Sequence, residues 1–376
     1  MAVHDRIRLT GVLTEGPRSR GPSHLGPVVF GPMDQTTHAE EIVIRPLTAE
    51  DAVGLVELVR ACYGDDYVHD EIYHPELFMA AQERGDHISE VAVTADGKVV
   101  GHWAFSFHGP RVAESGMTIT HPDYRGHGIA TDLEQSLLRR LDHMGVMWIM
   151  GEPVLFHTAT QEIVLKDWND AAITGFRMKV FHSVSGVGGF SDELEEGRIS
   201  AAMAFCPMAS MTRRSVWVSP AYRALLTQAL EPTDWPRVLE DSGAEGAPDG
   251  ASVLETGWDE INDSASIVVR RIGADLEDAV AAARDQATVR GAKFIELRLP
   301  VSSPDSAGVD LRGLGFSYAA FLPEMADDGD VMLLQWLDDP VIDRGHWHLL
   351  NDEIEALADA VVAQAGEAFE MSQPRS

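Results

Sequence analysis

The sequence predicts a mixed α/β protein built from two domains, each with a sheet that carries helices on its faces. Segments with strand-like and helix-like spacing of apolar residues alternate along much of the chain. At 376 residues, the chain exceeds the length at which a single hydrophobic core usually stops growing. Its second half also repeats part of the element order of the first, which is typical of related domains in tandem. We therefore expect a flexible arm, a first domain, a second domain, and a C-terminal helix with its tail, at residues 1–40, 41–212, 213–350 and 351–376.

The chain is strongly acidic, since 29 Lys and Arg residues stand against 60 Asp and Glu residues and give a formal charge of -31. Such a surface repels phosphate backbones, so we exclude nucleic acid as a partner. A basic amine, or a basic patch on a partner protein, fits this field better. An adaptation for solubility alone would produce the same composition.

The two cysteines, Cys62 and Cys206, are far apart in sequence and form neither a disulfide framework nor a metal-ligand cluster. We expect both to be reduced and to fill core positions. The N-terminus lacks a cationic start followed by an apolar run, and no stretch of about 18 uncharged apolar residues occurs. These features predict a cytoplasmic protein that does not enter a membrane.

The first domain begins with a β-rich run at Glu41–Pro46. Thr48–Asp51 is predicted to cap an amphipathic helix that continues to about Cys62. Two further β-rich runs, Glu90–Thr94 and Val99–Phe107, flank a short turn that contains Asp and Gly. This spacing predicts a β-hairpin.

The next strand is predicted at Met117–Thr120, and it leads into a glycine-containing turn. Beyond the turn, leucines at helical spacing predict a helix over Thr131–Met144. Val146–Met150 is predicted to be a strand again. The order strand, helix, three strands, turn, helix, strand gives a mixed sheet with helices on its faces.

The second half resumes this order after Glu240–Asp263, a segment rich in Asp, Glu, Gly, Ala and Pro that is predicted to contain a loop. A strand at Ser266–Val269, a helix near Leu276–Arg290 and a strand at Phe294–Leu299 are expected to follow. The same kinds of element therefore recur in the same order.

Gly-Phe pairs strengthen the repeat. We interpret Gly175-Phe176 and Gly315-Phe316 as helix ends, each followed by a late hairpin that includes Ala201–Phe205 or Val331–Trp336. Two related domains in tandem explain this similarity. Two unrelated α/β domains that share a Gly-Phe helix end remain the alternative.

The turn Arg125–Ala130 is interpreted as a pyrophosphate-binding turn. A diphosphate needs several N–H donors that converge on one point, and a strand that runs into a glycine-rich turn at a helix N-terminus provides them together with the helix dipole. Gly126 and Gly128 let the backbone approach closely. Arg125 adds positive charge or braces the turn.

The stretch Ala113–Ala130, which contains a strand, Pro122, Tyr124 and the glycine turn in that order, closely resembles the acetyl-CoA signature of the GNAT superfamily. The resemblance covers about residues 41–210, whereas residues 213–340 resemble a second, degenerate GNAT-like unit that lacks such a turn. It implies that each domain has a mixed, mostly antiparallel sheet with a splayed parallel strand pair and flanking helices.

The resemblance implies a pantetheine thioester as donor, either acyl-CoA or the phosphopantetheine of an acyl carrier protein. In this family the pantetheine arm lies between the splayed strands and pairs with backbone groups like those of Thr118 and Thr120. The implied cofactor-binding residues are Thr118, Thr120, Arg125, Gly126, His127, Gly128, Ile129, Ala130 and Thr131. We expect no metal, because His69 and His74 are five residues apart and fall out of step on a helix face.

Two residues are candidates for the proton transfers. Glu114 stands eleven residues before Arg125, where many GNAT enzymes place the Glu that deprotonates the amine, and a solvated strand-end Glu is the alternative. The resemblance places the acid that protonates the leaving thiolate at a Tyr four residues before the Gly-Phe pair, and here that position is Ala171. His157 is the substitute candidate, since His donates a proton near neutral pH. A His157 that only caps a helix is the alternative.

Acidic and aromatic residues cluster where the GNAT fold places its acceptor-facing helices, and a solvated loop is the alternative. The predicted acceptor residues are Tyr63, Tyr67, His69, Tyr73 and Glu152. Together with the resemblance, they predict an N-acyltransferase that moves an acyl group from the thioester to a small amine by direct attack in a ternary complex. A non-catalytic acyl-CoA-binding regulatory module is the alternative function. The sequence does not define an oligomeric state.

Overall fold

The computed structural model describes residues 42–65, 67, 70–182, 198–241, 243, 246 and 248–373. The expected arm at residues 1–40 and the predicted acceptor residue His69 lie outside these residues. Within the described part, the chain forms fourteen strands in three sheets and seven α-helices. The predicted mixed α/β class is therefore confirmed. Across the same residues, no helix combines the length and apolar composition that a membrane span requires.

The first sheet has seven strands in the order β1-β2-β3-β4-β5-β7-β6. The strands are β1 Ile42–Pro46, β2 His87–Thr94, β3 Val99–Phe107, β4 Val112–Thr120, β5 Trp148–Gly151, β6 Ala172–His182 and β7 Arg198–Pro207. Neighbouring strands are antiparallel except for β4 and β5, which are parallel. The hairpin predicted from the two β-rich runs is confirmed as β2 and β3.

Four helices flank this sheet. They are α1 Ala52–Tyr63, α2 Pro75–Arg84, α3 Ile129–His143 and α4 Ala159–Asp167. On one face, Leu55 and Phe78 of the first two helices pack into a core with Met117 of β4. On the other face, α3 lies so close to β3 that a Cβ built on Gly101 would stand 2.7 Å from Ile129 Cγ2. The sheet is thus covered on both sides, as its apolar strands require.

The second half contains a two-stranded parallel sheet and a five-stranded sheet. The strands are β8 Arg214–Trp217, β9 Arg237–Glu240, β10 Val253–Asp259, β11 Ser264–Arg271, β12 Phe294–Pro300, β13 Ser317–Ala326 and β14 Gly329–Leu337. The helices are α5 Pro220–Leu230, α6 Leu276–Arg290 and α7 Asp352–Ser372. The helix α6 has the bounds that the sequence predicted.

The five-stranded sheet repeats the order of part of the first sheet. It runs β10-β11-β12-β14-β13, with β11 and β12 parallel and joined through α6. The first sheet contains β3-β4-β5-β7-β6, with β4 and β5 parallel and joined through α3. The two halves therefore share one strand topology, which is the relation that the repeat in the sequence predicted.

The segment Glu240–Asp263 contains a loop, as predicted, and also the strand β10. One prediction about the elements is wrong. Gly175-Phe176 does not end a helix but lies inside β6, because the chain leaves α4 at Asp167 and is already extended at Ala172. The second pair, Gly315-Phe316, follows a single 3-10 turn and precedes β13.

The two sheets meet where β6 packs against β13. A Cβ built on Gly175 would stand 1.9 Å from the carbonyl oxygen of Ala319, so only glycine permits this approach. The hydroxyl of Tyr318 donates to Thr174 O at 2.8 Å. Gln335 Oε1 accepts from Met178 N at 2.9 Å across the same contact. The halves are thus joined through buried backbone groups, each of which has a partner.

Candidate functional site

The glycine turn lies between the end of β4 and the start of α3. Gly126 and Gly128 have φ angles of 77° and 78°, in the left-handed region that glycine adopts without strain. Gly128 is the N-cap of α3, a helix of 15 residues. The first amides of such a helix have no partner within it and are stabilised by an anion. The local geometry is therefore the one that the phosphate-turn prediction requires.

Arg125, the first residue of this turn, lies beside Cys62 of α1. Its Nε donates to Thr120 O at 3.3 Å, and its own carbonyl lies 2.9 Å from His127 Nδ1. Burial raises the pKa of the Tyr63 hydroxyl to about 12, and the positive charge of Arg125 opposes that rise. Tyr63, predicted as an acceptor residue, is thus placed beside the phosphate turn.

The strands β4 and β5 separate as the family resemblance implied. Their parallel pairing ends at Glu114 and Met150, after three residue pairs. β4 continues to Thr120, whereas β5 ends at Gly151. Met117 has a φ of 53°, which marks a bulge in the part of β4 that pairs with β3 but no longer with β5.

A cavity of about 30 Å³, which we call the slot, lies between the separated strands. Thr118 Oγ1, Thr160 Oγ1 and Glu152 Oε2 are buried there without a hydrogen-bond partner among the described residues. Trp103 and Trp168 form apolar walls. A cavity needs roughly 10–15 Å³ to hold one water molecule, so the slot has room for a small polar group with up to three partners.

Glu114 lies at the point where β4 and β5 separate, and its side chain is 1% exposed. His108, in the turn between β3 and β4, is 14% exposed, and its Nε2 lies 2.6 Å from Glu114 Oε2. A carboxylate at this distance fixes the orientation of the imidazole ring. The pair therefore forms a base and an orienting group in contact, which is the usual arrangement for proton transfer.

A second group of charges links the two sheets. Arg177 of β6 donates to Glu152 Oε1 at 3.0 Å and to Glu296 Oε2 of β12 at 2.7 Å. Arg298 Nε donates to Glu296 Oε1 at 3.0 Å. Burial raises the pKa of Glu152, Arg177 lowers it, and the nearby charges of Glu114 and Glu296 raise it. Buried charges of this kind persist only when they are paired.

These groups surround a second small cavity of about 20 Å³, which we call the charged pocket. Its polar lining consists of His108, Glu114, Glu152, Arg177, Glu296 and Arg298. Glu152 lines both the slot and the charged pocket. The carboxyl group of Glu152 therefore lies between the two cavities.

The charged pocket adjoins a much larger space between the two sheets. This cleft has a volume of about 920 Å³ and is lined by the β3–β4 turn and by β10, β11 and β12. His108, Arg177, Glu296 and Arg298 line both the cleft and the charged pocket. A molecule in the cleft would thus meet His108 before it meets Glu114.

The structure does not bring His157 together with Glu114. His157 lies between β5 and α4 and lines neither the slot nor the charged pocket. Burial lowers its pKa, and the nearby His348 lowers it further. Its role as a proton donor stays a prediction.

Ala171 is singled out by counting back from Gly175-Phe176, and the structure shows that this pair is not a helix end. Since Gly175-Phe176 lies in β6, it does not mark the end of α4. The residue that takes the left-handed conformation after α4 is Asp170, with a φ of 57°. An alanine at position 171 therefore carries no information about the acid that protonates the thiolate.

The predicted acceptor residues fall in two places. Tyr67 is 8% exposed and belongs to the apolar core beneath α1 and α2. The hydroxyl of Tyr73 donates to Gly64 O at 2.8 Å and accepts from Tyr67 N at 3.0 Å, so it holds the loop after α1. Glu152 lies in the charged pocket. Contact of these residues with an acceptor stays a prediction.

Sequence reasoning missed His108, Arg177, Glu296 and Arg298. His108 had a usable signal, because the register of a β3–β4 hairpin places the turn next to Glu114. The other three had none, since their pairing depends on how one sheet docks on the other. Among the described residues, no group of three or more His, Cys, Asp and Glu side chains is arranged to hold a metal ion.

Comparison with known proteins assigns the segment that carries this site. Residues 53–154 match the model of the acetyltransferase (GNAT) family. The match runs from α1 beyond β5 and includes Glu114, Glu152 and the turn Arg125–Ala130. This part of the chain is therefore a GNAT acetyltransferase domain, as the resemblance implied. No curated protein matches the chain in sequence.

Several solved structures resemble the chain. The ribosomal-protein-S18-alanine N-acetyltransferase from Escherichia coli is 14% identical, with coverage of 46% of this chain and 97% of its own length and a TM-score of 0.36. Spermidine/spermine N-acetyltransferase from Vibrio cholerae is 13% identical, with coverage of 44% and 92% and a TM-score of 0.34. The PaiA N-acetyltransferase from Thermoplasma acidophilum, in complex with coenzyme A, is 17% identical, with coverage of 44% and 99% and a TM-score of 0.31.

Proposed function

We propose that the protein is an N-acyltransferase that moves an acyl group from a pantetheine thioester, by default acyl-CoA, to an amine by direct attack in a ternary complex. The observation that carries this proposal is that β4 of the GNAT domain leads into the glycine turn and also lines both the slot and the charged pocket, to which the second half adds residues. The turn would bind the diphosphate through the first amides of α3. The slot would then receive a polar group of the pantetheine arm, with Thr118 and Thr160 as polar partners.

The charged pocket supports direct attack. The nitrogen of the neutral amine attacks the thioester carbonyl carbon, and the resulting ammonium proton passes to the His108–Glu114 pair. Collapse of the tetrahedral intermediate breaks the C–S bond, and the departing thiolate takes up a proton. Glu114 remains the base of first choice, and His108 is the group through which a proton from the cleft would reach it.

We also propose that residues 213–350 are a degenerate GNAT-like domain that does not bind a donor. The repeated strand order supports this assignment. At the start of α6, which corresponds to α3, the N-cap is Asp275, whose Oδ1 accepts from Ser252 N at 2.6 Å. A negative charge at the N-terminus of this helix would repel a phosphate.

The test is free-thiol release by the full chain from acetyl-CoA, longer acyl-CoAs and an acylated carrier protein, against a panel of amines. We expect release that depends on the amine and that falls in the variant Glu114→Gln. Binding of acyl-CoA without release in any combination, unaffected by Glu114→Gln, would support the regulatory module instead. Release from the loaded carrier protein alone would assign the carrier protein as donor.

A further inference from the structure

We propose that the acceptor is a primary ammonium at the end of an unbranched chain, held by carboxylates from both halves of the protein while its body lies in the cleft. This inference rests on the proposed acyl transfer and specifies its second substrate. It also gives the second half a role, since Glu296 of β12 becomes part of the acceptor site.

The cleft leads into the charged pocket, because several residues line both. The cleft of about 920 Å³ and the charged pocket of about 20 Å³ have His108, Arg177, Glu296 and Arg298 in common. The pocket then reaches the slot through Glu152. An acceptor that approaches from the cleft therefore meets groups from both sheets before it reaches the thioester.

The pocket offers a hydrogen-bond acceptor to a cation. Three carboxyl groups lie there with two guanidinium groups and the imidazole of His108, and Glu114 is paired with that imidazole. Glu152 Oε2 is buried and has no hydrogen-bond partner among the described residues. Its Oε1 is paired with Arg177, but a buried carboxyl oxygen without a donor is costly, and an ammonium that donates to Oε2 removes that cost.

The size of the pocket selects a narrow ammonium. About 20 Å³ in the charged pocket and about 30 Å³ in the slot each correspond to a group near the size of a water molecule. Met150, Met203 and Leu333 line the pocket beside the charges and suit methylene groups. The ammonium group alone fills this space, so the carbon that carries it lies at the mouth of the pocket, where a branch on that carbon would crowd the lining side chains.

The space available outside the pocket receives the rest of the acceptor. The cleft is lined by β10, β11 and β12 with both polar and apolar side chains, and its volume is that of a pocket for a ligand of drug size or larger. The acceptor therefore has a body of substantial size attached to its straight-chain amine. The second half supplies most of the surface that this body would contact.

The first test uses two isomeric acceptors on the wild-type chain with acetyl-CoA. Nα-acetyl-lysine amide offers an unbranched ε-amine, and Nε-acetyl-lysine amide offers a branched α-amine of the same composition. We expect kcat/KM to be at least about tenfold higher for the ε-amine, the size of discrimination that a shape restriction of one carbon group supplies. Equal values, or a preference for the α-amine, would overturn the proposal.

The second test separates the acceptor site from the donor site. Glu296→Gln is expected to raise KM for the ε-amine about tenfold, through loss of a charged hydrogen-bond partner, and to leave the dissociation constant of acetyl-CoA unchanged. Glu355→Gln is the matched control, because Glu355 of α7 pairs with Arg344 away from the cleft. Thermal unfolding verifies that each variant is folded, and Glu296→Asp replaces Glu296→Gln if the latter is not.

The outcomes are distinguishable. A folded Glu296 variant with unchanged KM for the amine would show that the second half does not hold the acceptor. Thiol release that favours branched amines would overturn the inference and leave acyl transfer intact. Tight acetyl-CoA binding with no release for any amine would overturn the proposed function and this inference with it.

Discussion

Glu114 and His108 line the charged pocket and contact each other at 2.6 Å. Glu114 is almost fully buried, while His108 is partly exposed and stands between Glu114 and the cleft. A proton from an amine that enters through the cleft would therefore reach the imidazole of His108 first and pass from there to the carboxylate of Glu114. Variants of these two residues are expected to change the chemical step and leave CoA binding in place.

Glu114→Gln is expected to lower turnover about 100-fold, which is a typical contribution of general base catalysis. The loss should be greatest at low pH, because the amine then carries its proton and depends most on a base. Steady-state kcat across the pH range measures this ratio, with Glu162→Gln on the exposed face of α4 as the control. A ratio that stays flat with pH would remove Glu114 as the base.

His102 predicts how stability depends on pH. Burial lowers its pKa from 6.5 to about 4. Between about pH 4 and pH 6.5, His102 is therefore protonated in the unfolded chain and neutral in the folded chain. The free energy of unfolding falls as the pH is lowered through this range. We expect about 2 kcal/mol less stability at about pH 5 than at about pH 7 from this residue. Urea unfolding of the wild type and of His102→Gln measures it, and a difference between them that is constant with pH would contradict the account.

At the scale of single elements, the glycine turn and α3 carry the donor site. Gly128 begins α3 and Gly145 follows its end, with similar φ angles of 78° and 75°. Gly128→Glu puts bulk and negative charge at the helix amides, so we expect at least about a 100-fold loss of CoA affinity. Gly145→Glu has the same backbone cost without this effect. Calorimetric titration measures both, and unchanged CoA affinity in a folded Gly128→Glu variant would exclude the turn as the diphosphate site.

Several elements could be predicted from the sequence because local signals determine them. The capping box is present, since Thr48 N and Oγ1 donate to Asp51 Oδ2 at 2.9 and 2.7 Å. The leucine spacing predicted α3, which begins two residues earlier than expected, at Ile129. Apolar periodicity and short-range hydrogen bonds are complete within such segments, so they are visible without knowledge of the fold.

Other elements could not be predicted because distant contacts determine them. The strand β10 alternates exposed and half-buried residues and lacks a strong apolar pattern. It is stabilised by antiparallel pairing with β11. Gly175 resembles a helix end in sequence, yet its glycine is required by the close approach of Ala319 on the other sheet. Tertiary contacts outweigh local propensity at both places.

At the scale of the whole molecule, the contact between β6 and β13 holds the acceptor cleft in shape. Gly175→Val is expected to destabilise the protein by about 3 kcal/mol, because it combines overpacking with a φ of 156° that L-residues rarely adopt. Urea unfolding measures this loss. Gly64→Ala is the control, since Gly64 has a φ of 65° but no atom within 4 Å of a built Cβ. Equal stability of the two variants would show that the docking contact is unimportant.

Some residues of the candidate site could be predicted from local sequence, and others depend on contacts between the two sheets. The glycine turn and Glu114 follow from spacing within one segment, and both lie where the resemblance placed them. Glu296 is 119 residues from its partner Arg177, and no sequence pattern links them. The charged pocket forms only because the two sheets pack against each other.

The proposed acyl transfer, from a thioester at the slot to an amine in the charged pocket, can be observed in its product. Mass spectrometry would follow incubation of the full chain with isotopically labelled acetyl-CoA and Nα-acetyl-lysine amide. We expect labelled acetyl on the ε-nitrogen, formed by the wild type and strongly reduced in Glu114→Gln. Acetyl-CoA bound at the turn with no labelled product from this or any other amine would contradict it.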